Sequence, residues 1–139
     1  MERVTRVGIS LEEELLRRFD AYLQRKGYSN RSQALRDLVR EKLVEEEWRD
    51  DEAETVATVN IVYDHHKREL LDTLAELQHD HLDQIVSTLH VHLDHEHCLE
   101  ILVLRGRARD LRALGDKLVA TKGVLHGTMS FGTTGKSLV

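Results

Sequence analysis

The side chains best suited to chemistry gather in Ser87 to Glu100, which reads STLHVHLDHEHCLE. Four of the nine histidines and the only cysteine fall inside this stretch. His90 and His92 are separated by Val91 alone. In an extended strand, residues two apart share a face. Two imidazoles therefore emerge side by side, with Leu89, Val91 and Leu93 on the opposite face. Asp94, His95, Glu96 and His97 have the polar character of a turn. Cys98 opens a second apolar run to Leu104. If that run folds back antiparallel, the thiol lands near His90 and His92. Two imidazoles and a thiolate suit a borderline or soft transition metal such as zinc, copper or nickel. A fourth ligand could come from His79, His81, His95 or His97, and spacing alone does not choose among them.

The rest of the chain bounds what this cluster can serve. One cysteine excludes an internal disulfide framework and fits a reducing cytosol. No apolar run approaches a membrane span and no signal peptide opens the chain, so a cytoplasmic protein is expected. The net charge of -5 is unevenly spread. Residues 1–40 carry nine Lys+Arg against six Asp+Glu, and residues 41–139 carry eleven against nineteen. All nine histidines lie beyond residue 64. A polyanionic partner would therefore meet the basic front.

That front is patterned as strand, helix, helix. Arg6 to Ser10 alternates, with Val7 and Ile9 on one face. Ser10 with Glu13 forms a capping box that starts a helix at Leu11 or Glu12, and Gly27 ends it. Asn30 with Gln33 is a second box, opening a helix through Leu43. A lone strand has two unpaired edges, and so small a segment cannot bury enough surface alone. Pairing with the same strand of a second chain solves both problems. The outer face of such a ribbon shows Arg6, Gly8 and Ser10, and it fits the major groove of B-DNA. The second helix start, at Asn30, Arg31 and Ser32, is a seat for phosphate.

Residues 49–54 read as a hydrophilic hinge. Beyond it, Thr55 to Tyr63 alternates as a strand, and Lys67 to Asp80 has helical spacing. Gln84 to Leu93 and Cys98 to Leu104 are strands. A helix marked by Ala108, Leu111, Leu114 and Leu118 follows, then a strand from Val124 to Phe131. The order is that of a ferredoxin-like βαββαβ domain in an α+β chain. The expected division is 1–48, hinge 49–54, 55–131 and a flexible tail 132–139. No nucleotide loop or oxyanion-forming loop accompanies the thiol, so an enzyme is not expected.

Residues 6–45 resemble the ribbon-helix-helix repressors, most specifically in Gly27-Tyr28-Ser29-Asn30-Arg31-Ser32 followed by Arg36-Asp37. Taken whole, the chain resembles the nickel-responsive repressor family NikR. The matching residues are Tyr63-Asp64-His65, Gln78-His79, Thr88-Leu89-His90-Val91-His92 and Cys98-Leu99-Glu100. The resemblance implies a ribbon-helix-helix domain joined to an ACT-type domain. It implies square-planar nickel(II) held by His90, His92 and Cys98 of one chain and His79 of another, with Tyr63 and Glu100 behind these ligands. It further implies a tetramer, a dimer of dimers, that represses nickel-uptake genes from a palindromic double-stranded DNA operator. Arg6, Gly8 and Ser10 match the base-contacting positions, and Lys67 and Arg68 match positions that touch DNA phosphate. Gln33 and Asp37 match a second cation site, expected to take potassium. The rival readings are a copper or zinc sensor of the same architecture, or a metal-storage or delivery protein that binds no operator. The sequence leaves open whether His65, His66, His81, His95 or His97 hold further metal.

Overall fold

The computed structural model describes residues 3–139. They form two compact units, one ending at Glu45 and including residues 137–139, the other Glu46–Lys136. In the front unit, helix α1 spans Glu13–Lys26, and α2 starts at Arg31 and runs to Glu47. The expected box of Ser10 and Glu13 does not form. The N-cap is Glu12, no side chain caps it, and Glu13 and Glu14 instead place negative charge on the first turn. Gly27 ends α1 in the left-handed region at φ 80°, where a Cβ would be strained. The second box is half made: Asn30 Oδ1 accepts the Gln33 N–H at 2.9 Å.

Residues 3–12 take no regular structure in the single chain, so the expected strand Arg6 to Ser10 is unpaired. A strand needs a neighbour for its backbone groups, and one chain supplies none here. The apolar face follows suit: Val7 is 80% and Ile9 61% exposed. Of the two helices, only Leu23 and Ala34 are buried. The helical pattern is therefore present while its core stands open.

The back unit is closed. Strand β1 is Glu54–Asp64, helix α3 Arg68–His79, β2 Ile85–His92, β3 His97–Arg107, α4 Ala108–Ala120 and β4 Val124–Phe131. The four strands form one antiparallel sheet in the order β2-β3-β1-β4. This is the ferredoxin-like arrangement expected from the pattern. One sheet face carries Val59, Ile61, Leu102 and Leu104, all fully buried. Helix α4 supplies Leu111, Leu114 and Leu118 to the same core, and α3 supplies Leu70 and Leu74. The Met129 sulfur fills the space beside Gly115, and a Cβ there would require that side chain to shift.

The stretch 49–54, read as a hydrophilic hinge, makes bonds to the back unit. The Ala108 N–H donates to Ala53 O and the Arg109 N–H to Asp51 O. The Arg112 guanidinium donates to Trp48 O and to the Asp51 carboxylate. Trp48 itself is buried, 4.6 Å from Phe131 ring to ring, with its indole N–H on Gly132 O at 2.8 Å. Thr55 Oγ1 donates to the same carbonyl, so the chain past Phe131 is pinned at its first residue. Hydrophilic composition does not distinguish a solvated linker from one satisfied by ion pairs. Trp48→Ala should destabilise the back unit by about 3–5 kcal/mol, because a large buried aromatic and its hydrogen bond are lost together. Urea unfolding followed by circular dichroism measures this, and a loss under about 1 kcal/mol would show that Trp48 is dispensable to that core.

Candidate metal centre

Two ladders bring the chemistry together. The β2–β3 register places His92 opposite Cys98 and His90 opposite Glu100. The β1–β3 register places Tyr63 opposite Cys98 and Asp64 opposite His97. His90, His92, Cys98, Glu100 and Tyr63 thus share one sheet face, while Leu89 and Val91 point away from it.

The β2–β3 turn is fixed by Asp94. Its Oδ1 accepts the backbone N–H groups of Glu96 and His97 at 2.8 Å, and its carboxylate meets His97 Nδ1 at 2.9 Å. These bonds, with the His97 interaction the largest, pull the Asp94 carboxyl down to about 2. The Asp94 bond and charge in turn raise His97. The Asp94 contribution is therefore full above the ordinary carboxylate range and fades as pH falls toward about 2. The His97 contribution is full below the ordinary imidazole range and is lost as pH rises through the raised value. His97 Nδ1 thus serves the turn. His81 directs Nδ1 to Leu77 O at 2.8 Å.

Cys98 is 1% exposed. Its Sγ lies 3.4 Å from His65 Nδ1 and 3.6 Å from His92 Nδ1. Among the described residues, His65, His92 and Cys98 form a cluster whose donor atoms all lie within 4.8 Å of one another. His65 follows β1 directly, and its N–H donates to Glu96 O at 2.9 Å. The structure thus brings two of the expected ligands, His92 and Cys98, together with His65.

His90 is engaged elsewhere. Its Nε2 is 2.9 Å from the Tyr63 hydroxyl and 3.0 Å from Glu100 Oε2. Glu100 is 4% exposed and accepts Tyr63 O–H at 2.8 Å on Oε2 and Gln78 Nε2 at 2.8 Å on Oε1. Burial first, then the Glu100 bond and charge, push the Tyr63 phenol far up. Tyr63 therefore keeps its proton and donates that O–H to Glu100 as a hydrogen bond. The partner left for His90 is an acceptor pair, so Nε2 carries the hydrogen and Nδ1 the lone pair. His79 ends α3 beside Gln78, is exposed, and lies outside the cluster.

One thiol and the imidazoles beside it form a donor set that fits a borderline transition metal. Burial, then the charges of Glu100, Asp64 and Asp94, raise the Cys98 thiol above its ordinary value. At neutral pH the metal-free sulfur is a thiol, and a metal must displace its proton. Metal-free protein should thus react with a disulfide reagent at pH 8 at least about tenfold more slowly than free cysteine. Stopped-flow release of the chromophore measures this, and a rate matching free cysteine would contradict the enclosed thiol.

The residues expected at DNA are also placed. Arg6, Gly8 and Ser10 are all exposed. Asn30 is occupied as the α2 cap, and Arg31 makes a two-pronged pair with Asp20 at 2.8 and 2.9 Å. Ser32 stands exposed in the first turn of α2, and Lys67 and Arg68 stand exposed at the start of α3. Gln33 is exposed, while the Asp37 carboxylate accepts Tyr28 O–H at 2.7 Å and faces Arg40 at 3.5 Å.

Comparison with known proteins agrees with both halves. Residues 5–46 match the ribbon-helix-helix protein family of copG type, and residues 56–131 match the NikR C terminal nickel binding domain. A protein of Geobacter sp. (strain M21) is 52% identical, and one of Geotalea uraniireducens (strain Rf4) 53% identical. Each alignment covers 99% of both chains, and each relative bears the name "Putative nickel-responsive regulator". In fold alone, an uncharacterized protein from Thermotoga maritima is similar at TM-score 0.50 and 20% identity. That match covers 56% of this chain and 96% of the other. No helix of the described residues is long and apolar enough to cross a membrane.

Proposed function

The chain belongs to the family of nickel-responsive regulators, and on that premise we propose that it is a cytoplasmic repressor whose grip on a palindromic operator strengthens when nickel(II) is bound. The observation that carries this reading is the surroundings of Cys98. The buried thiol has His92 across the ladder and His90 two residues along the same strand face, with the His90 proton held on Nε2. We assign His90, His92 and Cys98 as ligands from one chain and His79 as the fourth from a neighbouring chain. Bound nickel(II) would be held by these imidazole nitrogens and the Cys98 sulfur, a donor set suited to a borderline transition metal. Glu100 and Tyr63 orient His90 and leave Nδ1 free to donate, and a group behind a ligand in this way tunes how tightly it holds. Gln78, bonded to Glu100, fixes the end of α3 from which His79 projects.

Assembly with further copies is supported by two uncovered apolar surfaces. In the front unit, Ile9, Leu11, Leu15, Phe19 and Leu35 line an open groove of about 420 Å³. A second copy bringing its own residues 6–10 and helices would cover it and pair the strand. In the back unit, Leu89 and Leu93 are 57% and 52% exposed beside the edge strand β2. A second back unit on that edge would bury them and could present His79 to the site. The result is a dimer of dimers. The outer ribbon face of Arg6 and Ser10 would read bases, with Gly8 between them, while Ser32, Lys67 and Arg68 meet phosphate. A potassium ion at Gln33 and Asp37 would share the Asp37 carboxylate with Tyr28 and Arg40.

By linkage, whatever nickel adds to operator affinity, the operator must add to nickel affinity. A gel-shift with promoter DNA should show a retarded band that requires nickel. Cys98→Ser should remove that requirement's effect together with the sulfur-to-nickel absorption in the near ultraviolet. Arg6→Ala should keep nickel affinity yet lose operator preference by about 1–3 kcal/mol, the worth of one good base contact. A metal-storage protein would show no nickel-dependent band at all.

Supply of His79 from a second chain is tested by mixing. Chains carrying His79→Ala and chains carrying Cys98→Ala each lack one ligand. Co-refolded pairs across a two-fold interface should regain one complete site and its wild-type nickel spectrum. If His79 closed on its own chain, no mixing ratio would restore that spectrum.

A further inference from the structure

We propose that the acidic stretch 51–54 is an internal polyanion that masks an arginine run, residues 105–112, as a binding surface for DNA phosphate. The run reads RGRARDLR. Met in isolation, so basic a run is a nucleic-acid patch. In the folded chain each of its arginines faces a carboxylate of the stretch. Arg105 Nε lies 2.9 Å from Glu54, and Arg112 reaches Asp51. Glu52 serves two arginines, with Oε2 2.8 Å from Arg107 and Oε1 3.1 Å from Arg109. Asp110 gives Arg107 a further carboxylate at 3.0 Å. A guanidinium grips carboxylate and phosphate with the same fork of N–H donors. The stretch therefore occupies the groups that a DNA backbone would use.

The mask is held by more than charge. The first N–H groups of a helix have no partner inside it, and no side chain caps α4. The Ala108 N–H donates to Ala53 O at 2.9 Å and the Arg109 N–H to Asp51 O at 3.1 Å, so the stretch is seated as the cap of α4. Its carboxylates belong to the same chain and compete with phosphate from solution at a high effective concentration. The arginines themselves stay within reach of solvent. The side chains of Arg105, Arg107 and Arg109 are 48%, 50% and 53% exposed. Carboxylates, rather than burial, keep phosphate off them. The consequence is for selectivity, and there it rests on the operator reading. Phosphate contacts are blind to sequence and strengthen attachment to all DNA alike. With the run covered, this face of the back unit adds no such grip.

The test compares full-length variants on a random-sequence DNA duplex at low salt, without metal, by fluorescence anisotropy. Glu52→Gln with Glu54→Gln uncovers Arg105, Arg107 and Arg109. Affinity should rise at least about tenfold, and the fall of log K with log salt should steepen by about two. Asp72→Asn with Glu76→Gln makes the same charge change on exposed positions of α3. That control should stay within about threefold of wild type, since distant charges are screened. Adding Arg107→Gln and Arg109→Gln to the uncovered variant should cancel its gain. The same two arginine changes in the otherwise wild-type chain should alter binding by no more than about twofold, because covered arginines hold no phosphate. This last comparison decides the matter by itself if circular dichroism shows the uncovered variant to be poorly folded. The mask is overturned by an uncovered variant that binds no better than the α3 control. It is equally overturned by a wild-type chain that loses more than about twofold when Arg107 and Arg109 are replaced. The regulator reading fails on a different result, an operator band indifferent to nickel, so the two outcomes are separable.

Discussion

Cys98 lies on the strand at the centre of two antiparallel ladders, with His92 across one and Tyr63 across the other. Everything at the metal centre depends on that double register. Side chains alternate along a strand, so a one-residue slip of β2 would send both imidazoles to the face of Leu89 and Val91. The slip is opposed from two directions. The Asp94 turn locks the β2–β3 connection through three bonds to Glu96 and His97. The burial pattern of β3, with Cys98, Glu100, Leu102 and Leu104 all inward, locks the other side.

The same inward row mixes a thiol, a carboxylate and leucines, and that mixture has consequences. A buried carboxylate is costly unless fully bonded. Glu100 is bonded on both oxygens, to Gln78, Tyr63 and His90. These partners come from α3, β1 and β2, so satisfying one charge ties three elements to the centre. Tyr63, with its phenol pushed far up, remains a donor throughout the physiological range. The network therefore sets a tautomer for His90 as well as a position.

The two units reach closure differently. The back unit completes its core within one chain, including the polar residues 48–53 held down by Arg112 and Trp48. The front unit does not: its helices bury two residues between them and leave Val7 and Ile9 in solvent. Within one chain, then, one half closes its apolar core and the other, which matches the ribbon-helix-helix family, leaves its apolar face open.

Much of this was legible in the sequence. The alternation of β1, β3 and β4 and the helical spacing of α3 and α4 follow from where apolar residues recur, and they specified the ferredoxin-like order. His90 and His92 declared a shared face because strand geometry has a period of two. Cys98 declared itself by being alone. The sequence could not show His65 at the sulfur, because that contact spans thirty-three residues and needs the β1–β3 pairing to be known. Nor could it show that residues 49–54 are bound down, since acidic side chains look alike whether they face water or Arg112. The Ser10–Glu13 box failed for a similar reason, as a capping pattern competes with wherever the preceding chain is led. Local periodicity fixes elements and faces, because those depend on neighbours in sequence. Which face meets which, and so which imidazole meets the thiol, is decided by strand register, a property of the folded chain alone.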